Sequence, residues 1–180
     1  MKHLISHAIT IWAACMTFGL APAFAAGLPN AHDLAADARA AQAEGIPLAI
    51  LYSINGCPAC EEVRRLYLNA LSAQLKGKRR VLIRQVNLKS RSALTDFQGK
   101  QTTHDAYAHS AGITFVPVVQ FLGVDGEELS APLVGRMLPD FYGAYLESAL
   151  DQATGKSKMQ TASIKTGSIE LRSPPEKAGR

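Results

Sequence analysis

The apolar run Pro47-Leu48-Ala49-Ile50-Leu51-Tyr52 passes through Ile54-Asn55-Gly56 into Cys57-Pro58-Ala59-Cys60, and helix-favouring residues follow from Glu61 to Leu75. A short apolar run bounded by turn residues predicts a buried strand, so the chain is committed here to strand, tight turn and helix, with two cysteines at the junction. The first amides of a helix lack intrahelical acceptors, and the aligned peptide dipoles favour negative charge in front of them. A cysteine so placed titrates at about 3.5 to 7.5 rather than about 8.5, and its thiolate is the form that attacks a disulfide. Cys57 is the candidate attacking sulfur. Pro58 takes the first helical position, where its missing N–H costs nothing and its fixed φ suits a helix. Residues three apart share a helix face at about 5–6 Å between Cβ atoms, close to the roughly 4.4–6.8 Å Cα separation of a disulfide. Cys60 is therefore placed to close on Cys57 and is the candidate resolving sulfur.

Other uses of a CxxC pair fit less well. A zinc site needs two further ligands, and there is no second CxxC. His104 and His109 lie more than 40 residues beyond Cys60, against about 12 to 15 in a zinc-finger spacing. No metal site is expected. Covalent haem attachment needs His directly after the second cysteine, where this chain has Glu61. A purely structural disulfide stays open, although so short a loop removes little entropy from the unfolded chain.

Lys2 and His3 precede a largely apolar stretch from Ala8 to Phe24 that ends in Ala23-Phe24-Ala25, a small-x-small cleavage pattern. Residues 1–25 thus read as a signal peptide cleaved near Ala25. A retained anchor is the alternative, but Thr10, Thr17, Gly19 and Pro22 interrupt the apolar core, which is short for a span of about 20 residues. Trp12, three positions ahead of Cys15, fits lipid attachment at that cysteine poorly. Removing residues 1–25 from the 180 leaves 155, in which Cys57 and Cys60 are the only cysteines. An exported protein stapled by disulfides would pair distant segments, and this one has no cysteines for that. Lysine plus arginine fall from 19 to 18 against 15 acids. The net charge near +3 has no dense basic patch, so no nucleic-acid partner is expected.

Asn30 is a candidate cap for an alanine-rich helix over 31–44 that Gly45 stops. This helix, within residues 26–45, leads into the core. The helix from Pro58 to Leu75 places Val63, Leu66, Tyr67, Ala70 and Leu71 on one face, and Gly77 ends it. Arg79 to Leu88 fits a strand at a sheet edge, Ser90 to Lys100 a polar loop. Thr102 or Thr103 caps a short helix to Ser110, broken at Gly112. Val116 to Leu122 and Glu127 to Val134 read as a hairpin about Gly123-Val124-Asp125-Gly126. Pro139 starts a last helix that carries Phe141, Tyr142, Tyr145, Leu146 and Leu150 to Asp151, and residues 152–180 read as a flexible polar tail. A strand-helix-strand crossover makes strands 47–53 and 80–88 parallel, and the tight turn makes the last two antiparallel. The fold class is α/β, with a central mixed sheet of four to five strands flanked by helices.

With these elements in order, the chain resembles the thioredoxin superfamily over about Ile46 to Leu150. The resemblance rests on the strand before Cys57-Pro58-Ala59-Cys60, the segment Gly112-Ile113-Thr114-Phe115-Val116-Pro117, the hairpin at Gly126 and Val134-Gly135 ahead of the last helix. It implies a thioredoxin-like domain over residues 46–151, with a redox-active Cys57–Cys60 disulfide and no other cofactor. It also implies a cis peptide before Pro117, beside the cysteines, with Val116 offering its backbone N–H and C=O to an extended substrate segment. Val116 and Pro117 are thus the expected substrate-binding residues.

Departures from the family pattern bear on the chemistry. Thioredoxins proper have Trp before the first cysteine and Gly-Pro between the pair, where this chain has Gly56 and Pro58-Ala59. Their buried aspartate, which helps deprotonate the second cysteine, is replaced by Leu51, leaving Glu61, Glu62 or water for that proton. Some 40 residues between Lys76 and Val116 leave no room for the inserted helical domain of the strong periplasmic oxidases. The 20 or so residues before Ile46 leave none for the dimerisation domain of the isomerases. The resemblance that remains is to small exported thioredoxin-like proteins. These are periplasmic monomers that take electrons from a membrane thiol transporter and reduce disulfides of exported partners, including those of sulfur oxidation or cytochrome c maturation. A net dithiol oxidant of the same fold, and a non-catalytic peptide-binding module, remain as alternatives.

Overall fold

The structure is a computed structural model that describes residues 27–72, 79–135 and 139–170. The signal-peptide reading of residues 1–25, the helix end at Gly77 and the last ten residues lie outside these.

Strand β1 (Leu48–Ser53) is the centre of the molecule, with all six residues buried. It pairs in parallel with β2 (Leu82–Asn87), from Leu48 opposite Leu82 to Ser53 opposite Asn87. On its other edge it pairs antiparallel with β5 (Val118–Leu122), which in turn carries the two-residue β6 (Leu133–Val134). The four-stranded mixed sheet has the order β2-β1-β5-β6. Successive side chains on a strand face opposite ways. Ala49 and Leu51 accordingly join one apolar cluster, with Val63, Leu68, Tyr142, Leu146 and Leu150, and Leu48, Ile50 and Tyr52 join a second, with Leu34, Ala38 and Ala108. Helices therefore cover both faces.

Helix α1 (Leu34–Glu44) begins later than the sequence suggests. Its cap is Asp33, whose Oδ1 accepts the Ala36 N–H at 2.8 Å, and Gly45 at φ 68° closes it. Asn30 instead extends along the exposed edge of β2: Ala31 N–H donates to the Gln85 carbonyl and Gln85 N–H to that of Pro29, both at 2.9 Å. Arg84 of β2 holds α1 through Asp37 with a bidentate pair at 2.8 and 2.5 Å.

The helix after the cysteines is regular only over α2 (Pro58–Val63); a π-helical turn at Arg64–Leu68 precedes α3 (Asn69–Ser72). One extra residue in a turn rotates everything beyond it by about 100°. That rotation explains why Leu66 is 46% exposed and Ala70 exposed, against the expectation from regular helical spacing, and why Leu68 is wholly buried in their place.

The expected polar loop at 90–100 contains a hairpin of two three-residue strands, β3 (Ala93–Thr95) and β4 (Gln101–Thr103). Asp96 Oδ1 ties its turn by accepting the N–H groups of Gln98 and Lys100. Helix α4 (His104–Ser110) follows, with Thr103 before it, but the Thr103 hydroxyl bonds Asp105 and caps no amide. The expected strand from Glu127 to Val134 is interrupted. Glu128 bridges to Leu122, and pairing resumes only where Leu133 meets Val119. Pro132, between them, has no N–H to offer a ladder.

The expected flexible tail from residue 152 is helical as far as Glu170, because α5 runs Tyr142–Glu170. Ala153 and Ser157 continue the buried stripe of Leu146, Ala149 and Leu150. Thr161 Oγ1 donates to the Gln42 carbonyl at 3.2 Å and Gln160 Nε2 to Glu127 at 2.6 Å. Small buried residues at helical spacing pack closely, although a composition reading takes them as polar filler. No helix of the described residues is long and apolar enough to cross a membrane.

His104, at the start of α4, is 2% exposed and joins three segments. Its Nδ1 accepts the Asn87 N–H at 3.1 Å, which leaves Nε2–H to donate to the Ala31 carbonyl at 2.9 Å. Burial pushes its pKa below the ordinary value; the Ala31 carbonyl opposes that shift, His32 adds to it and Asp105 offsets it.

Two outcomes follow from these contacts. Ala153→Asp is expected to lower the unfolding free energy by about 2 kcal/mol or more, since it buries an unpaired carboxylate, while Met159→Asp on the exposed face stays within about 0.5 kcal/mol. Urea melts of both variants check this. For His104, the unfolded state binds the proton first as pH falls, so stability is full above about 6.5 and declines below it, by at most about 1.4 kcal/mol per pH unit. Comparing urea melts of the wild type and His104→Gln between pH 7.5 and 5 is expected to show a shallower decline in the variant.

Candidate active site

Beyond Ser53 the chain turns through Asn55 and Gly56, and Gly56 takes φ 71°, a left-handed conformation that side chains strain. That turn delivers Cys57 in an extended conformation, φ −91° and ψ 105°, to the N-cap position of α2, with Pro58 in the first turn. Cys57 Sγ accepts the Cys60 N–H at 3.1 Å, the bond a capping oxygen ordinarily receives. The two cysteines are joined as a disulfide with their Cα atoms 5.3 Å apart. They are not equivalent. Cys60 is wholly buried at the base of α2, whereas Cys57 is part-exposed at its tip.

Tyr52 lies opposite Val118 in the β1–β5 ladder, so Pro117 sits at the register of Ser53, at the end of the sheet from which the chain leaves for Cys57. The Val116–Pro117 peptide is cis. Pro117 is buried, with its carbonyl accepting the Gly135 N–H at 2.8 Å. Val116 is half-buried against the cluster under α4, and no backbone hydrogen bond engages it among the described residues. Phe115, just ahead of it, is 53% exposed.

Leu51, at the position of the family's buried aspartate, is wholly buried among apolar neighbours. Glu61 is exposed and forms an ion pair with Arg64. Arg64 Nε in turn donates to Gln85 Oε1 at 3.0 Å, which links the cysteine-bearing helix to the edge strand.

Sequence reasoning missed a polar cleft of about 640 Å³ at the same end of the sheet, lined among others by Asn55, Gln85, Asn87, Lys89, Arg91 and His104. Only Asn55 lies near the cysteine motif in sequence, so no local pattern announced the cleft. In sequence His104 reads only as a remote metal ligand. Both its ring nitrogens are engaged by backbone groups, and among the described residues no three His, Cys, Asp or Glu side chains gather as a metal-binding group.

A family profile described as a thioredoxin-like domain matches residues 34–150, which takes in α1 as well as the segment from Ile46. Several solved structures are similar at low identity. Thioredoxin O2 from Arabidopsis thaliana in its oxidised state is 16% identical, with 70% of this chain and 93% of that one covered and a TM-score of 0.46. A DsbH oxidoreductase is 14% identical, with 74% and 92% covered and a TM-score of 0.48. The C-terminal domain of Neisseria meningitidis DsbD in its oxidised form is 20% identical, with 64% and 90% covered and a TM-score of 0.43. No curated protein matches the chain. The profile spans well over half of the residues and includes both cysteines and the cis-proline segment, and the chain accordingly belongs to the thioredoxin-like domain family.

Proposed function

We propose that this protein is an exported thiol-disulfide oxidoreductase that reduces disulfides of partner proteins in the periplasm. The observation that carries the reading is the asymmetry of the Cys57–Cys60 disulfide. The sulfur of Cys57 receives a helix amide and its residue is part-exposed, while Cys60 is enclosed. An amide donated to sulfur stabilises the thiolate over the thiol, which favours Cys57 as attacking and leaving group.

In the reduced protein the Cys57 thiolate attacks one sulfur of a substrate disulfide. A Cys57–substrate bond forms, the substrate S–S bond breaks, and one substrate thiolate leaves. Cys60, having lost its proton to water or to the carboxylate of Glu61 or Glu62, then attacks the Cys57 sulfur and expels the second substrate thiolate. Two electrons pass from the protein to the substrate, and the Cys57–Cys60 disulfide is restored. Val116, whose backbone groups have no partner among the described residues, offers strand-like hydrogen bonds to the substrate segment, with Pro117 packed behind it. A membrane thiol transporter returns the electrons. The leader-like residues 1–25 support export, and the absence of other cysteines from residues 26–180 supports a redox rather than a stapling role for this pair. The protein acts as a monomer, on partners of sulfur oxidation or cytochrome c maturation.

Insulin reduction by dithiothreitol is expected to run faster with the wild type than with the Cys57→Ser/Cys60→Ser variant; equal rates would favour a peptide-binding module. Cys60→Ser is expected to accumulate mixed disulfides with exported proteins on non-reducing gels and Cys57→Ser to accumulate none. Equal trapping by both would overturn the assigned roles. A reduction potential near roughly −270 mV fits the reductant, and one well above about −180 mV the oxidant.

A further inference from the structure

The polar cleft touches the cysteine turn, because Asn55 of its wall stands two residues ahead of Cys57. Two residues of chain reach at most about 7 Å. A ligand group held in the cleft can therefore belong to the same molecule whose sulfur meets Cys57.

Donors and positive charge predominate there. Asn55 Oδ1 accepts from Asn87 Nδ2 at 2.9 Å and Gln85 Oε1 from Arg64 Nε at 3.0 Å, so both side-chain oxygens are engaged. Their NH2 ends have no partner among the described residues. Lys89 and Arg91 add two cations that form no ion pair among the described residues. Among the described residues no carboxylate lines the cleft. Asp105, the acid nearest along the chain, has its Oδ1 engaged by the Thr103 hydroxyl and the Ala106 N–H, which with some help from Arg91 hold its pKa below the usual carboxylate range. His104 offers no acceptor, since its Nδ1 already receives the Asn87 N–H. Two cations with no carboxylate beside them, together with the unpartnered NH2 groups of Asn55 and Gln85, suit an anionic ligand with several lone pairs.

We propose that this cleft is a carboxylate-binding subsite that selects, among the disulfides reduced at Cys57, those bearing a carboxylate a few bonds from the attacked sulfur. The proposal rests on the oxidoreductase reading above and adds no chemical step to it. The carboxylate belongs either to an acidic residue flanking the cystine of an exported protein or to a low-molecular-weight disulfide.

The test uses the full-length protein, reduced beforehand, and follows the oxidation of Cys57 and Cys60 by acid quenching and mass spectrometry. One probe pair is 3,3′-dithiodipropionate and its bis-amide; the other is a peptide disulfide with Glu or Gln beside the cysteine. Each rate is divided by that of the same probe with dithiothreitol, which removes differences in intrinsic reactivity. The acid member of at least one pair is expected to react about fivefold faster or more than its amide. A preference in the first pair identifies small disulfides as the source, and one in the second identifies proteins. Lys89→Gln/Arg91→Gln is expected to bring the ratio near unity, and Lys156→Gln/Lys158→Gln, the same loss of charge on α5, to keep it. Equal rates for acid and amide in the wild type would overturn the subsite and leave the oxidoreductase standing, as would a preference that survives Lys89→Gln/Arg91→Gln. No oxidation by any probe would overturn the oxidoreductase reading itself.

Discussion

The burial of β1 on both faces, together with its pairing along both edges, is the constraint on which the remaining structure depends. A strand held by β2 on one side and β5 on the other cannot slip by one residue without exchanging the apolar sets that Leu48, Ile50 and Tyr52 give to one face and Ala49 and Leu51 to the other. The two sets differ in size, so exchanging them would overpack one face at about 1–3 kcal/mol and leave voids in the other, and a slipped register is disfavoured. The point at which the chain leaves the sheet is therefore fixed. Four residues later, Cys57 meets the start of α2 in a position set by the core rather than by the loop that carries it. The 3.1 Å contact between the Cys57 sulfur and the Cys60 amide depends on that rigidity.

Features that depend on neighbours in sequence were legible before the structure. The buried strand, the turn at Gly56, Pro58 in the first turn, the Gly45 stop and the parallel pairing of the two strands around the cysteine helix all follow from short patterns. What escaped was set by contacts between distant segments. Asn30 has the residue type of a cap, but the free edge of β2 offered its segment two backbone hydrogen bonds, and Asp33 capped the helix instead. The β3–β4 hairpin has strands too short to show an alternation, with Leu94 as its sole fully buried residue. The end of α5 reads as solvated because its buried positions are Ala153 and Ser157, whose composition says nothing about the surface they meet.

The candidate site divides along the same line. The cysteine pair and its place at the start of α2 were legible in four consecutive residues. The neighbouring cleft draws on the turn before Cys57, the end of β2, the loop after it and the first residue of α4, and only the fold brings these together. His104 illustrates the difference. Its place at the start of a short helix gave no sign that its ring joins the β2 end to the N-terminal segment, one wall of the cleft to another.

The π-helical turn at Arg64–Leu68 separates two demands that a regular helix cannot meet together in this sequence. Ahead of it, Cys60 and Val63 face inward; Leu68, its last residue, and Leu71 beyond it must do so as well, and the five residues from Val63 to Leu68 exceed the roughly 3.6 of one α-helical turn. Loss of a single residue within this turn would rewind the helix and leave either the buried sulfur or Leu68 turned away from the sheet. In relatives whose corresponding helix is uninterrupted, a correct structural superposition would carry a one-residue gap here, and gap-free sequence alignments would mispair every position from the bulge to the end of α3.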